Sequence, residues 1–228
     1  LKRRFDLLSG HMQFSPPDYL NATVKNSGRG KFNADGNVVT DDGSAWIGGN
    51  PFPDAKNGAE AFANITMSWG RYDNTFYAIQ EDDLNPDGSV AYSYDFAWIE
   101  MQATGRTSDP DGVYFKGEQD TVRYQTAWFN APQDVKGTAF LSTWPYDQRQ
   151  YPKLEGYLPA FKRVRRFPTN QRFEPLLPGP TWYLSDAWGA GDPWLTWGNF
   201  KIVHRGPMVG PAGGGNFNSK DPNWKRER

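Results

Sequence analysis

The 228-residue sequence contains no cysteine, which excludes disulfides, thiolate catalysis and cysteine-based zinc sites within it. It also lacks any apolar run approaching the ~20 residues a membrane-spanning helix requires. Histidine is scarce. His11 and His204 lie far apart, and neither sits in a nucleophile or metal motif, so a loop position and a strand-end position account for them. Charge of one sign is missing as well: the formal net charge is -1 and the pI is near 6.2. Bulk electrostatics therefore gives no reason to expect nucleic acid as a partner.

Aromatic residues are abundant. With 10 Trp, 11 Tyr and 15 Phe, aromatics make up 16% of a chain whose whole hydrophobic set is 37%, so rings supply nearly half of the apolar residues and should build large, stiff apolar surfaces. From Val90 onward they fall at every second position: Tyr92, Tyr94, Phe96 and Trp98 share one face of a strand, with small and polar residues opposite. The pattern returns where Val122, Tyr124, Thr126 and Trp128 share a face and Arg123 and Gln125 take the other. These two strands lead to the expectation of an aromatic inner surface lined by Tyr92, Tyr94, Phe96, Trp98, Tyr124 and Trp128. Such a surface favours binding over chemistry.

Residues 1–45 mix Gly, Asn, Asp and Pro and read as an irregular segment of loops and short strands laid over a larger body. Residues 46–205 form the main unit. A helix is predicted over about 57–70, because Asn57 and Glu60 have the spacing of a cap and its reciprocal carboxylate, and Phe62, Ile65 and Trp69 recur at helical spacing. Its apolar stripe should lie on the sheet, and Gly70 should end it. Strands are predicted near 71–81, 89–103, 112–117, 120–130, 136–143, 147–151, 155–166 and 199–204, separated by turn signals such as Asn85-Pro-Asp-Gly88. The fold class that follows is mainly β (α+β): a strongly curved antiparallel sheet or half-barrel with one or a few short helices in its concavity. Residues 206–228, with Gly213-Gly-Gly215 and a charged end, read as a flexible tail. The chain starts at Leu1 without an initiator Met, so further sequence is expected to precede it.

Three local features invite chemistry. Asp83, Asn85 and Asp87 copy the first half of a calcium loop, but position twelve would be Tyr94 and Pro86 stiffens the middle, so a hairpin turn is the favoured reading. Acidic pairs in the turns would suit glycosidic hydrolysis only if they faced each other across a cleft. In the segment Tyr157 to Arg166, an extended chain places Phe161, Arg163 and Arg165 on one face. That is either a charge-protected edge strand or a polar clamp for a carboxylate, phosphate or partner protein. The Trp-rich stretch from Trp182 to Trp197 reads as core, with an adaptable rim as the competing account.

Three stretches resemble a family of Gram-negative envelope proteins often labelled outer-membrane lipoprotein-sorting proteins. They are Gly48-Gly-Asn-Pro-Phe-Pro-Asp-Ala-Lys-Asn-Gly-Ala-Glu-Ala-Phe62, Tyr157-Leu-Pro-Ala-Phe-Lys-Arg-Val-Arg-Arg166, and Leu184-Ser-Asp-Ala-Trp-Gly-Ala-Gly-Asp192 with Trp197-Gly-Asn-Phe-Lys-Ile202. The resemblance spans roughly 45–210. It implies a fold similar to LolA and LolB, with an apolar cavity for acyl chains under a curved sheet, and a role near envelope transporters of the resistance-nodulation type. Members of the family are longer at both ends, and a lipid-acceptor cysteine is missing here.

The expectation is thus a non-enzymatic periplasmic binder or carrier of a hydrophobic or lipid-like molecule, with no cofactor, no metal and no nucleic-acid partner. Arg163 and Arg165 would receive a polar head group or a partner. A carbohydrate-binding or glycan-processing envelope protein is the alternative, since exposed aromatics stack on sugars. A structural scaffold for a transporter complex is the third.

Overall fold

A computed structural model describes residues 15–68, 73–108, 114–169, 183 and 193–207. Its centre is a six-stranded antiparallel sheet in sequence order, and a two-stranded sheet and two helices pack beside it. The architecture is mainly β, as the alternation of residues suggests, and the sheet does not close into a barrel.

The smaller sheet pairs β1 (Gly30–Phe32) with β2 (Val38–Thr40). The large sheet runs β3 (Asn74–Leu84), β4 (Val90–Gln102), β5 (Thr121–Ala131), β6 (Ala139–Pro145), β7 (Lys153–Leu158) and β8 (Arg163–Phe167). Simple hairpin succession explains the order, because antiparallel neighbours need only short turns. The β3–β4 turn is Asn85 to Gly88, closed by the Gly88 N–H on the Asn85 carbonyl at 2.8 Å with Gly88 at φ 89°. Only glycine adopts that angle without strain. Register shifts at Asp83/Leu84, Asp95/Phe96 and Thr121/Arg123 interrupt the ladders, and bulges of this kind bend a strand locally.

The helix α2 spans Gly58–Ser68. Asn57 caps it as expected, accepting the Glu60 N–H on Oδ1 at 3.0 Å, while the Glu60 carboxylate returns to the Asn57 amide and the Lys56 N–H. Its apolar face differs from the expected one. Ala63 and Met67 are buried with Val38, Trp46 and Trp194, and Phe62 stacks on Phe200 at 4.8 Å, whereas Ile65 is exposed. The helix thus packs against the β1–β2 hairpin and the short 3-10 turn Trp194–Thr196 rather than across the aromatic strands. Trp69 and Gly70 lie outside the described residues.

Five further expectations need correction. The N-terminal segment contains a helix, α1 (Pro17–Lys25), started by a proline in its first turn; proline pre-sets helical φ there and lacks only an N–H that no helix would use. Residues 147–151 form a turn instead of a strand, because Asp147 accepts the Arg149 N–H and the Gln150 N–H bonds the Asp147 carbonyl. The single strand expected over 155–166 is a hairpin, broken by the 3-10 turn Pro159–Phe161 and by Lys162 at φ 50°. The stretch 199–204 is irregular, and the described part of 112–117 contributes one isolated bridge, Tyr114 to Thr104.

Candidate functional site

Cross-strand register decides which side chains meet. Tyr77, Trp98, Ala127, Phe140, Gly156 and Arg165 form one row across all six strands. Neighbouring positions on the same side add Tyr92, Tyr94, Phe96 and Phe129, and this is the inner face. Its rings touch in sequence: Tyr92 on Tyr94 at 6.5 Å, Tyr94 edge-on to Phe129 at 6.2 Å, Phe96 stacked on Phe129 at 5.2 Å, Phe129 to Phe140 at 6.5 Å, and Phe140 to Phe167 at 5.6 Å. These separations suit offset and edge-to-face ring pairs. The last contact depends on Gly156, where a Cβ would lie 2.6 Å from the Phe167 ring and 2.9 Å from Phe140.

The four β4 aromatics named from the sequence therefore do share a face. Tyr94 and Phe96 are buried, Trp98 is partly buried, and Tyr92 is 52% exposed at the sheet margin. Tyr124 and Trp128 do not join them. Antiparallel register sets Tyr124 opposite Met101 and Trp128 opposite Ala97, so both point to the outer face. Each strand's alternation was legible, but not which face of one matches which face of its neighbour, and a one-residue shift inverts that relation. On the outer side Tyr124 donates its hydroxyl proton to Glu118 at 2.7 Å, which pushes the phenol pKa up. Trp128 is 51% exposed there, in an apolar row with Ala139, Tyr157 and Val164.

Arg163 and Arg165 lie on the inner side of β8, an edge strand among the described residues, and both are exposed. The Arg165 guanidinium sits 4.8 Å from the centre of the exposed Phe161 ring and that of Arg163 6.0 Å away; the three meet across the 3-10 turn and the left-handed Lys162, not along the extended chain that was expected. On the opposite side Arg166 pairs with Glu155 at 3.1 Å. Water solvates all of these charges, and no buried guanidinium has to be compensated here.

The inner face changes character toward α2. Past Trp98 the same row of β4 presents Glu100 and Gln102, opposite Gln125 and Arg123 of β5, and all four are buried. Glu100 accepts from the Trp98 indole at 2.7 Å and the Thr75 hydroxyl at 3.2 Å. Arg123, 1% exposed, donates to the Thr66 carbonyl at 2.6 Å and stacks 4.5 Å from the Trp144 ring. Burial lowers its pKa to about 10, with Glu100 opposing, so it stays charged at neutral pH. Gln102 donates to the Met67 carbonyl at 2.8 Å. Two sheet side chains thereby bond carbonyls in the last described turn of α2, and the carbonyl end of a helix attracts a cation. The signal for this patch was present as charged residues continuing an otherwise aromatic face.

The calcium-like loop is occupied by its own turn. Asp87 Oδ1 accepts from the Ser89 N–H and hydroxyl, and the Asn85 amide donates to Ser89 Oγ. Asp83 sits on β3 opposite Tyr92. Among the described residues no group of three or more His, Asp or Glu is placed to hold a metal ion. His204 is exposed; His11 lies outside the described residues, as do Trp182 and Trp188. Of the Trp-rich stretch, Trp194 is core and Trp197 is exposed.

No curated protein matches the chain. Among solved structures, a DUF1329 family protein from Desulfovibrio piger ATCC 29098, determined at 1.75 Å, is 20% identical with a TM-score of 0.35. That match covers 52% of this chain and 44% of the other, so the chain corresponds to less than half of that protein's length. The family model for DUF1329, described as a protein of unknown function, matches residues 2–227. The chain belongs to the DUF1329 family.

Proposed function

We propose that this protein is a non-enzymatic binding or carrier protein for a hydrophobic or lipid-like molecule, working in the periplasm and serving an envelope transporter. One observation carries the reading. The aromatic inner face runs unbroken from buried Phe129 through Tyr94 to exposed Tyr92, and the same face ends in Arg165 on β8, in one cross-strand row with Trp98. Four inter-strand steps separate Trp98 from Arg165, or about 19 Å at the usual strand spacing. A ligand touching both is elongated, with an apolar body against the rings and an anionic or polar head at the guanidinium. The resemblance to lipoprotein-sorting proteins supports the same ligand class.

Tyr92 and Arg165 are the positions to vary, since both are exposed and neither supports the core. Binding of a fluorescent long-chain fatty acid should weaken about tenfold in Tyr92→Ala and in Arg165→Ala, each removing one contact of about 1.4 kcal/mol. Unchanged binding in both folded variants, or no binding by the parent protein, refutes the reading. Native mass spectrometry of protein purified from a Gram-negative periplasm identifies the natural cargo.

A further inference from the structure

A second site lies away from the aromatic face. Between the β1–β2 hairpin and the ends of β5, β6 and β7 is a cleft of about 610 Å3, within the range of small-molecule sites. Its walls come from parts of the chain more than 100 residues apart and are locked together. Asn37 donates to Asp147 Oδ1 at 3.0 Å and accepts the Gln148 N–H at 2.9 Å. Arg149 bridges Asp147 at 2.8 Å and Asp35 at 2.6 Å. Tyr146 donates its hydroxyl proton to the Val38 carbonyl and accepts the Trp46 N–H, both at 2.6 Å. The Arg149 guanidinium beside Asp147, with further donors from Asn37 and Gln150, holds that carboxyl well below the usual carboxylate range.

The locked groups leave others facing the cleft. Gln119, Asp120, Thr143 and Lys153 line it, while Val39, Ala45 and Pro145 supply small apolar surfaces. Three aspartates against one arginine and one lysine disfavour an anion. So many amide, hydroxyl and charged groups disfavour an apolar guest, whose burial would leave them unsatisfied. A neutral polyhydroxylated ring satisfies both constraints. Its hydroxyl pairs meet planar amides and carboxylates, and its C–H faces rest on proline and aliphatic carbons.

We propose that this cleft is a saccharide-binding site, independent of the aromatic face, with Asp120 and Lys153 as its principal hydrogen-bonding side chains. Maltotriose, cellotriose, xylotriose and chitotriose serve as probes by saturation-transfer NMR and calorimetry on the full chain. At least one should bind, and Asp120→Ala and Lys153→Ala should each weaken it about tenfold or more, the loss expected for a hydrogen bond to a charged group. Circular dichroism and unfolding midpoints check that both variants fold. Tyr92→Ala and Arg165→Ala should bind the same saccharide normally, which separates this site from the proposed lipid surface. Failure of all four probes at about 10 mM, where even a millimolar complex is mostly formed, overturns the proposal. So does binding that survives both cleft substitutions.

Discussion

The two halves of the inner face obey the same alternation and solve opposite problems. Around Phe96 and Phe129 the strands bury rings against rings, where contact area and close packing set the stability. Four residues beyond Phe96 on β4, Glu100 and Gln102, with Gln125 and Arg123 facing them from β5, occupy equivalent positions, and there the energetics depend on whether each polar atom finds a partner. The aromatic half depends on rings of matching volume. The polar half tolerates only its own partners. Alternation therefore reports which way a side chain points and says nothing of what it meets.

The contrast can be broken from either side. Phe129→Ala empties the centre of the aromatic half, where Phe129 is fully buried, and should cost about 4 kcal/mol in urea unfolding. A loss under about 1 kcal/mol would show that the ring cluster is loosely packed. Arg123→Met should cost about 3 kcal/mol by removing a cation that favours the buried Glu100 carboxylate, and adding Glu100→Gln should return part of that loss by removing the charge. Equal losses in the single and double variants would show that packing, not charge balance, governs this half. Gly156→Ala should cost about 2 kcal/mol through forced displacement of Phe140 and Phe167, and in Phe140→Leu the same change should be milder.

The smallest effect concerns the cleft framework, which lies outside both halves. The Asp147 carboxyl has its pKa depressed, first by Arg149, so between its folded and unfolded values the unfolded chain binds more protons. Its contribution is full at neutral pH and fades as pH falls below the usual carboxylate range near ~4. Because the group remains wet, Asp147→Asn should lower stability by only about 0.5 kcal/mol at neutral pH. The variant's stability should also depend less on pH in acid, as measured by unfolding at pH 7 and pH 3.

The sequence was informative wherever local chemistry decided the outcome. The Asn57–Glu60 cap, the Asn85–Gly88 turn and the long β4 and β5 strands all followed from residues within a few positions of one another. What depended on register or distant pairing was illegible. Tyr124 and Trp128 fell on the outer face because β5 pairs Trp128 with Ala97, an offset no single strand encodes. The cleft is illegible in the sequence because Asn37 and Asp147 are 110 residues apart, and each looks like an ordinary turn residue. Helix α1 is hard to read from sequence because its N-cap offers no side-chain bond, which leaves Pro17 and Asp18 to mark its start.

The side chains of Arg123 and Gln102 that bond the end of α2 have a kinetic consequence. A helix terminus ordinarily frays by itself, opening and closing far more often than the domain unfolds. Here the last turn is held from adjacent strands of the sheet, so releasing it means breaking bonds to β4 and β5. Amide hydrogen exchange at the end of α2 should accordingly follow the slow exchange of those strands, making helix and sheet one cooperative unit.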